Sequence, residues 1–422
     1  MKRSISILLS LLLMLSSLPV FASAEDVEFT DVKEGSWYYD AVMYTKENGI
    51  MDGVSNSEFA PKDVMTRASF VTVLWAIAGK PDDAPSAGFS DVPENAWYAN
   101  AVNWAYANGV AAGTGNDTFT PDRPLNRAEA CTMLVKYNDT NGGLLLYKLD
   151  PQEFADVADI PEWARDAVTK CRRAELISGV GGNTFAPKKQ MTRAEAAVML
   201  TEFIRPKGFL FLGNSLTYYY DPQIYFAELC DIFFIPNNSM LWAHPSVYLW
   251  AIAEGLDYET EFIEKLAAAD AVIMQEGTGT DWKYDDSHKN AVLDIMSAYK
   301  DNKLTYIRFT EYDIWNYQPM NFIDGTDDIF SGYAHDYLLM RYPELFEYWD
   351  LHLDDGYSHP TETYAFLIAL TCFVSVFDEC DFEVKYEDLS ESTRAALIDE
   401  EHYNALWDAA IFARNITTYS GN

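Results

Sequence analysis

Three tandem segments of this chain repeat one pattern, and that periodicity constrains the fold more than any other feature. Phe29-Thr-Asp-Val32, Phe89-Ser-Asp-Val92 and Phe154-Ala-Asp-Val157 open the units. Each continues into a stretch that predicts a tryptophan-led helix: Trp37-Tyr-Tyr-Asp-Ala-Val42, Trp97-Tyr-Ala-Asn-Ala-Val102 and Trp163-Ala-Arg-Asp-Ala-Val168. Glycine-marked turns follow at Gly49/Gly53, Gly109/Gly113 and Gly179, then the aromatic loops Phe59-Ala-Pro61, Phe119-Thr-Pro121 and Phe185-Ala-Pro187. The units close on Thr66-Arg-Ala-Ser69, Asn126-Arg-Ala-Glu129 and Thr192-Arg-Ala-Glu195, each leading into a second apolar helix. Thr or Asn at the N-cap accepts a bond from the first turn, and Glu129 or Glu195 can return it as a capping box; Ser69 cannot. Two helices joined by a turn-rich segment are too small to bury a core, so neighbouring units must supply the burial. The units are placed at residues 29–80, 89–138 and 154–204.

The start of the chain speaks to its compartment. Lys2 and Arg3 precede an apolar run from Ile7 to Val20, and Ala22-Ser23-Ala24 supplies small residues for cleavage. This pattern predicts a signal peptide over residues 1–24 and an exported mature chain. No later stretch is long and apolar enough for a membrane span, so none is expected in the mature chain. The net charge of −35 is uneven: Glu25–Arg205 holds 17 basic and 27 acidic residues, net −10, and Pro206–Asn422 holds 11 and 38, net −27. Such acidity repels phosphate backbones and excludes nucleic acid as a partner. Neutral sugars or small esters suit the second half better than strongly anionic substrates. The cysteines, Cys131, Cys171, Cys230, Cys372 and Cys380, have neither metal-type spacing nor a disulfide framework. Cys131 and Cys171 fall in apolar helical patterns and are expected as packed thiols.

After Ile204 the pattern changes with almost no linker, so the two halves are expected to touch. Gly208–Gly213, Asp270–Gln275 and Leu304–Phe309 read as short buried strands. Helical stretches lie at about Pro222–Phe233, Tyr258–Ala268, Asp286–Lys300, Glu362–Val376 and Ser392–Thr417. Alternating strands and helices predict a parallel sheet covered on both faces, with its site at the carboxyl ends of the strands. Gly213-Asn214-Ser215-Leu216-Thr217 falls at such an end. A serine there needs a base to become a nucleophile. The candidate is His359, in Asp354-Asp355-Gly356-Tyr357-Ser358-His359-Pro360 just ahead of a late helix, where an acidic neighbour can hold the imidazole tautomer. The other histidines have no motif context.

Both halves resemble known families. The Phe-x-Asp-Val opening, the tryptophan helix and the Thr-Arg-Ala-Glu tetrad, recurring in register over Phe29–Ile204, resemble the S-layer homology domain. The resemblance implies a mainly α, three-repeat spindle on the bacterial cell wall, with grooves that bind a secondary cell-wall polysaccharide often carrying pyruvate ketals. Arg67, Arg127 and Arg193 would meet the ketal carboxylate, a task suited to a planar bidentate guanidinium. Asp31, Asp91 and Asp156, with Trp37, Trp97 and Trp163, would line the grooves. Helix capping by the arginines and core filling by the tryptophans remain open alternatives. Ser69 for Glu, Asn126 for Thr and the missing aromatic after Trp163 set the three units apart.

Over residues 207–422, Gly-Asn-Ser and the late Asp-to-His segment resemble the GDSL/SGNH hydrolase superfamily. That resemblance implies a three-layer α/β/α domain with a flavodoxin-like parallel sheet, and esterase or deacylase chemistry without metal or cofactor. Ser215 would be nucleophile, His359 general base and acid, and Asp355 the orienting carboxylate. The Ser215 amide would serve the oxyanion hole, joined by Gln275 where the family has Gly-x-Asn. Asp355 stands four residues before His359 rather than three, so Asp354 or a backbone carbonyl is the alternative orienter. The family's second-block glycine is not evident around Asn237–His244. The combined expectation is a secreted, wall-anchored esterase acting on an acylated carbohydrate or small ester. The alternatives are a non-catalytic display or carbohydrate-binding protein and a structural surface-layer component.

Overall fold

The computed structural model describes residues 29–147, 153–213, 217, 219–243, 252–253, 259–275, 293–295, 305–309, 326–329, 331–351, 353–354, 360–377 and 382–419. The expected signal peptide and most of the expected helix at Asp286–Lys300 lie outside these residues.

Each repeat supplies two α-helices: α1 (Tyr39–Glu47) and α2 (Arg67–Ile77), α3 (Ala99–Ala107) and α4 (Arg127–Thr140), α5 (Glu162–Arg173) and α6 (Arg193–Ile204). Trp37 and Trp97 stand in the turns just before α1 and α3, and only Trp163 lies inside its helix. The second helices are capped as the tetrads predict. Thr66, Asn126 and Thr192 accept from the backbone of Ser69, Glu129 and Glu195, and the latter two close full capping boxes. Packing runs between repeats: α2 against α3, α4 against α5, and α6 back against α1. One buried cluster results, running from Phe29 through Phe119 to Leu200. No repeat has a core of its own.

The second half is built on a five-stranded sheet of β1 (Lys207–Gly213), β2 (Asn237–Ala243), β3 (Ala271–Gln275), β4 (Thr305–Phe309) and β5 (Thr326–Ile329). The order is β2-β1-β3-β4-β5 and every pairing is parallel. This is the flavodoxin-like order, with the chain reversing direction across the sheet beside β1. Around the sheet stand α7 (Pro222–Ile232), α8 (Thr260–Ala267), α9 (Ser331–Arg341), α10 (Tyr348–Leu351), α11 (Glu362–Val376), α12 (Glu391–Ala396) and α13 (Glu400–Tyr419). Alternation along β1 divides the burial. Phe209 and Phe211 pack among side chains of α7, α11 and α13, whereas Leu210 and Leu212 pack with Phe262 and Leu266 of α8. Both faces are covered, which makes the expected three layers.

Several elements differ from the sequence reading. β2 opens on Asn237-Asn238-Ser239 and β5 reads Thr-Asp-Asp-Ile, residue types depleted in strands, so neither showed a strand pattern. Both are edge strands of the described sheet, where polar residues are tolerated. The helix read over Ser392–Thr417 is two helices, α12 and α13, separated around Ile398 in the left-handed region (φ 69°). α9 was not read as a helix at all.

The halves are joined tightly. Leu145 enters the repeat core while its neighbour Leu146 enters the core of the second half. Just past α6, Arg205 makes a bidentate pair with the buried Asp270, at 2.8 and 2.7 Å, and Asp270 also accepts the Gly208 amide at 3.0 Å. Gly208 is required there, because a Cβ would lie 2.9 Å from the Cα of Ala269. Cys131, Cys171, Cys230 and Cys372 are buried. No helix among the described residues is long and apolar enough to cross a membrane.

The repeats also hold a local conflict. Gly49 and Gly109 end the first helices in the left-handed region (φ 66° and 70°), and the third repeat places Glu175 there (φ 56°). A side chain in that region costs about 1 kcal/mol that glycine avoids. Glu175→Gly is therefore expected to stabilise the chain by roughly 0.5–1 kcal/mol, read as a raised midpoint in urea with an unchanged slope; a lowered midpoint would refute the strain.

Candidate functional sites

The tetrad arginines form a ring. Arg67 donates through Nε to the carbonyl of Phe119 (3.0 Å) and through a terminal nitrogen to that of Ala112 (2.7 Å). Arg127 does the same to Phe185 (2.9 Å) and Ser178 (2.6 Å), and Arg193 to Phe59 (2.8 Å) and Asp52 (2.6 Å). Each guanidinium also lies 4.5–5.0 Å from the ring centre of the phenylalanine it bonds. Every repeat thus grips the next, and the third grips the first. A second cycle of backbone bonds runs inside it: Leu125 to Met65, Met65 to Met191, and Met191 to Leu125.

Asp31, Asp91 and Asp156 act within their own repeats. Each carboxylate accepts two consecutive amides, of Phe59 and Ala60, Phe119 and Thr120, or Phe185 and Ala186, at 2.7–2.9 Å. The second residue of each pair has a positive φ (58°, 55° and 57°), a strained backbone that the carboxylate holds in place. These six bonds use one lone-pair direction on every carboxylate oxygen. They aim the Phe59, Phe119 and Phe185 carbonyls that the arginines then engage.

The tryptophans behave differently. Trp37, Trp97 and Trp163 are 66, 66 and 59% exposed, so none fills a core. Arg67 and Arg127 are only 4 and 5% exposed. Trp37 lines a cavity of about 310 Å³ together with Arg127, Lys189 and Glu195. Glu195 sits below the usual carboxylate range. Burial pushes it up, but Lys189, the Thr192 amide and Arg127 together outweigh that. One aromatic face, two cations and a carboxylate from three repeats therefore meet in one concavity. Sequence reasoning missed Lys189 and its counterpart Arg123, which lie outside the repeated tetrad.

In the second half, Ser215, His359 and Asp355 lie outside the described residues, and Asp354 is exposed. What is described is their framing. Gly213 ends β1, and Gln275 ends β3 beside it, because Leu212 pairs with Met274. The segment after Gly213 leads into α7, and Pro360 leads into α11. These two helices pack side by side and run in the same direction: Tyr225 meets Glu362 and Phe366, and Phe226 and Phe233 meet Phe373. The Tyr225 hydroxyl donates to Glu362 at 2.8 Å, tying the first turns together. On α9, Tyr337 stacks on Phe412 at 4.2 Å and donates to Asp408, a packing role. His335, whose Nδ1 lies 2.9 Å from Asp336, is buried on α9. No metal-type cluster occurs among the described residues.

Comparison with known proteins follows this division. The S-layer homology domain profile matches residues 28–71, 88–131 and 153–197. The chain carries three S-layer homology domains, and they mark it as a cell-surface protein. It is 31% identical over 189 residues to an amylopullulanase of Thermoanaerobacterium thermosulfurigenes, a match covering 43% of this chain and 10% of that protein. It is 31% identical over 194 residues to the exoglucanase XynX of Acetivibrio thermocellus, covering 44% and 17%. A surface-layer 125 kDa protein of Lysinibacillus sphaericus is 38% identical over 110 residues, covering 25% and 9%. The matches thus span 9–17% of the length of these relatives. Among solved structures, a protein from Slackia heliotrinireducens assigned to the SGNH hydrolases aligns at TM-score 0.28 and 19% identity, covering 39% of this chain and 96% of that one. The lipase Lip_vut3 from a goat rumen metagenome aligns at 0.29 and 13%, covering 40% and 97%. At those scores neither carries an argument about this chain.

The ring makes the arginines structural whatever else they do. Arg127→Ala would leave the Phe185 and Ser178 carbonyls without their charged donor and is expected to cost about 3 kcal/mol, measured as a loss of denaturant stability. A loss under about 0.5 kcal/mol would show that the ring does not hold the repeats together.

Proposed function

We propose that this chain is a wall-anchored serine esterase or deacylase of the SGNH type, held by its repeats to a secondary cell-wall polysaccharide. The anchoring half of the reading rests on the tryptophans. Three indoles at repeat-equivalent positions are left more than half exposed, where a packing role would bury them. An exposed indole offers a sugar ring a flat apolar face, and the neighbouring cations suit an acidic substituent such as a pyruvate ketal. Replacing Trp37, Trp97 and Trp163 together by Ala is expected to abolish co-sedimentation with purified cell walls without lowering thermal stability. Retained co-sedimentation would remove the groove assignment. The tryptophans are the better probe, since the arginines are needed for folding.

The catalytic half rests on one observation: Ser215 precedes α7 in the sequence and His359 precedes α11, and these two helices run parallel and are bonded at their amino-terminal ends. That framing favours convergence of the two motifs at the carboxyl edge of β1, the usual site of a parallel sheet. In the proposed reaction Ser215 attacks the ester carbonyl while His359 accepts its proton, with Asp355 or Asp354 orienting the imidazole. His359 then returns the proton to the departing sugar hydroxyl, and water releases the acyl group. The Ser215 amide and Gln275 would stabilise the oxyanion, Gln275 from its place beside Gly213. Hydrolysis of p-nitrophenyl acetate by the full chain should fall by at least about 10³-fold in Ser215→Ala. Equal rates for the two would leave the non-catalytic display reading in its place.

A further inference from the structure

The three repeats are related closely enough that their differences can be read position by position. The residue four places before each tetrad arginine is Asp63, Arg123 and Lys189 in turn, and the last tetrad residue is Ser69, Glu129 and Glu195. In the second repeat Arg123 pairs with Glu129 at 2.5 Å, and the Arg67 guanidinium approaches the same carboxylate at 3.9 Å. In the third, Lys189 pairs with Glu195, and Arg127 approaches it at 4.0 Å. Arg123 and Lys189 keep 40 and 44% of their side chains exposed, whereas Arg67 and Arg127 keep 5 and 6%. In these two grooves the accessible cation is therefore not the buried arginine contributed by the preceding repeat. It is Arg123 or Lys189, four places ahead of the tetrad arginine of its own repeat and fixed by that repeat's tetrad glutamate.

The first repeat breaks this pattern. Its groove residue is Asp63, its tetrad ends in Ser69, and the incoming arginine is Arg193, whose carbonyl partner belongs to another acid, Asp52. The Ser69 hydroxyl instead lies 2.8 Å from that of Thr66. Asp63, Asp31 and Asp52 are the acidic groups acting on Arg193, and their pull is outweighed by burial. Counting Arg193, Asp63 and Asp52, this groove carries −1. The corresponding sets, Arg67, Arg123 and Glu129, and Arg127, Lys189 and Glu195, carry +1 each, with Ala112 and Ser178 where Asp52 stands.

We infer that two grooves of the repeat domain, those built on Arg123 and Lys189, bind an acidic saccharide, and that Asp63 and Ser69 close the third to it. A carboxylate on the sugar meets the exposed Arg123 or Lys189, the indole of the adjoining repeat meets the ring, and the buried arginine only adds its field. For the Lys189 groove that indole is Trp37; the pseudo-threefold relation assigns Trp163 to the Arg123 groove and Trp97 to the third. A two-charge difference makes the Asp63 groove at least roughly tenfold weaker for an anion. This inference rests on the wall-binding reading above and adds the residues that decide which grooves work.

Isothermal titration of the full chain with the pyruvate ketal of a methyl N-acetylhexosaminide, beside its neutral methyl ester, separates the two. The expected stoichiometry for the ketal is two. Arg123→Ser and Lys189→Ser should each lower it to one, and Asp63→Lys combined with Ser69→Glu should raise it to three, with thermal melts confirming folded variants. The neutral ester should bind at least tenfold more weakly. Any other wild-type stoichiometry, a double variant that stays at two, or equal binding of ketal and ester overturns the inference, even where co-sedimentation with walls persists. If neither the ketal nor purified walls bind, the anchoring reading itself fails.

Discussion

The repeat domain depends on one kind of contact: a guanidinium from the first residue of a helix donating to two carbonyls of the next repeat. Open solenoids leave terminal units with uncovered faces and need caps. Here Arg193 carries the chain of contacts back to Phe59, and α6 packs on α1, so no terminal face remains. Bonds to carbonyls from a buried cation are strong because no water competes for either partner. They are also geometrically demanding. The carbonyls must point inward, and the Asp31, Asp91 and Asp156 carboxylates fix them by holding the next residue at positive φ. The repeated Asp and the repeated Arg are two parts of one device that lies mostly beneath the surface.

The device explains what was legible and what was not. The threefold repeat, the caps and the inter-repeat burial were readable because each is a local pattern recurring in register. The roles of the polar residues were not. A repeated Arg-Ala pair looks the same whether the guanidinium faces a ligand or a neighbour's carbonyl, and only the fold distinguishes them. The second half shows the same division. β1, β3 and β4 were visible as short apolar runs, but β2 and β5 each begin with three polar residues, since edge strands need not be apolar on both faces. The break at Ile398 left no signal, there being no glycine or proline to mark it. For the proposed serine site, the residue types were legible in sequence, whereas the parallel packing of α7 on α11 was not.

The junction between the halves follows the same logic of shared burial. Leu145 and Leu146 are adjacent in sequence yet belong to two different cores, so the segment Leu144–Leu146 cannot leave one without uncovering the other. Arg205 adds direction to this apolar seam. Its pKa is raised, first by the bonds to Asp270, so the guanidinium stays charged. Asp270 opens the turn into β3 and accepts the Gly208 amide, so the ion pair sets the start of two central strands relative to the last repeat. An orientation fixed in this way is passed on to the carboxyl edge of the sheet.

That rigidity has a use on the proposed reading. The second half carries most of the negative charge and would be repelled by an acidic wall polymer. A flexible tether would let it swing to the outer side of the anchor, away from the polymer. Leucines sunk in both cores and a buried bidentate pair resist such swinging, at a cost in binding that the grooves must offset. Placing the cations at exposed Arg123 and Lys189, on the repeat domain alone, puts the attraction and the repulsion on separate bodies that cannot turn relative to each other. On that reading the two charges would orient the chain on the wall as well as hold it there, and the direction in which the edge of β1 faces would follow from the anchor.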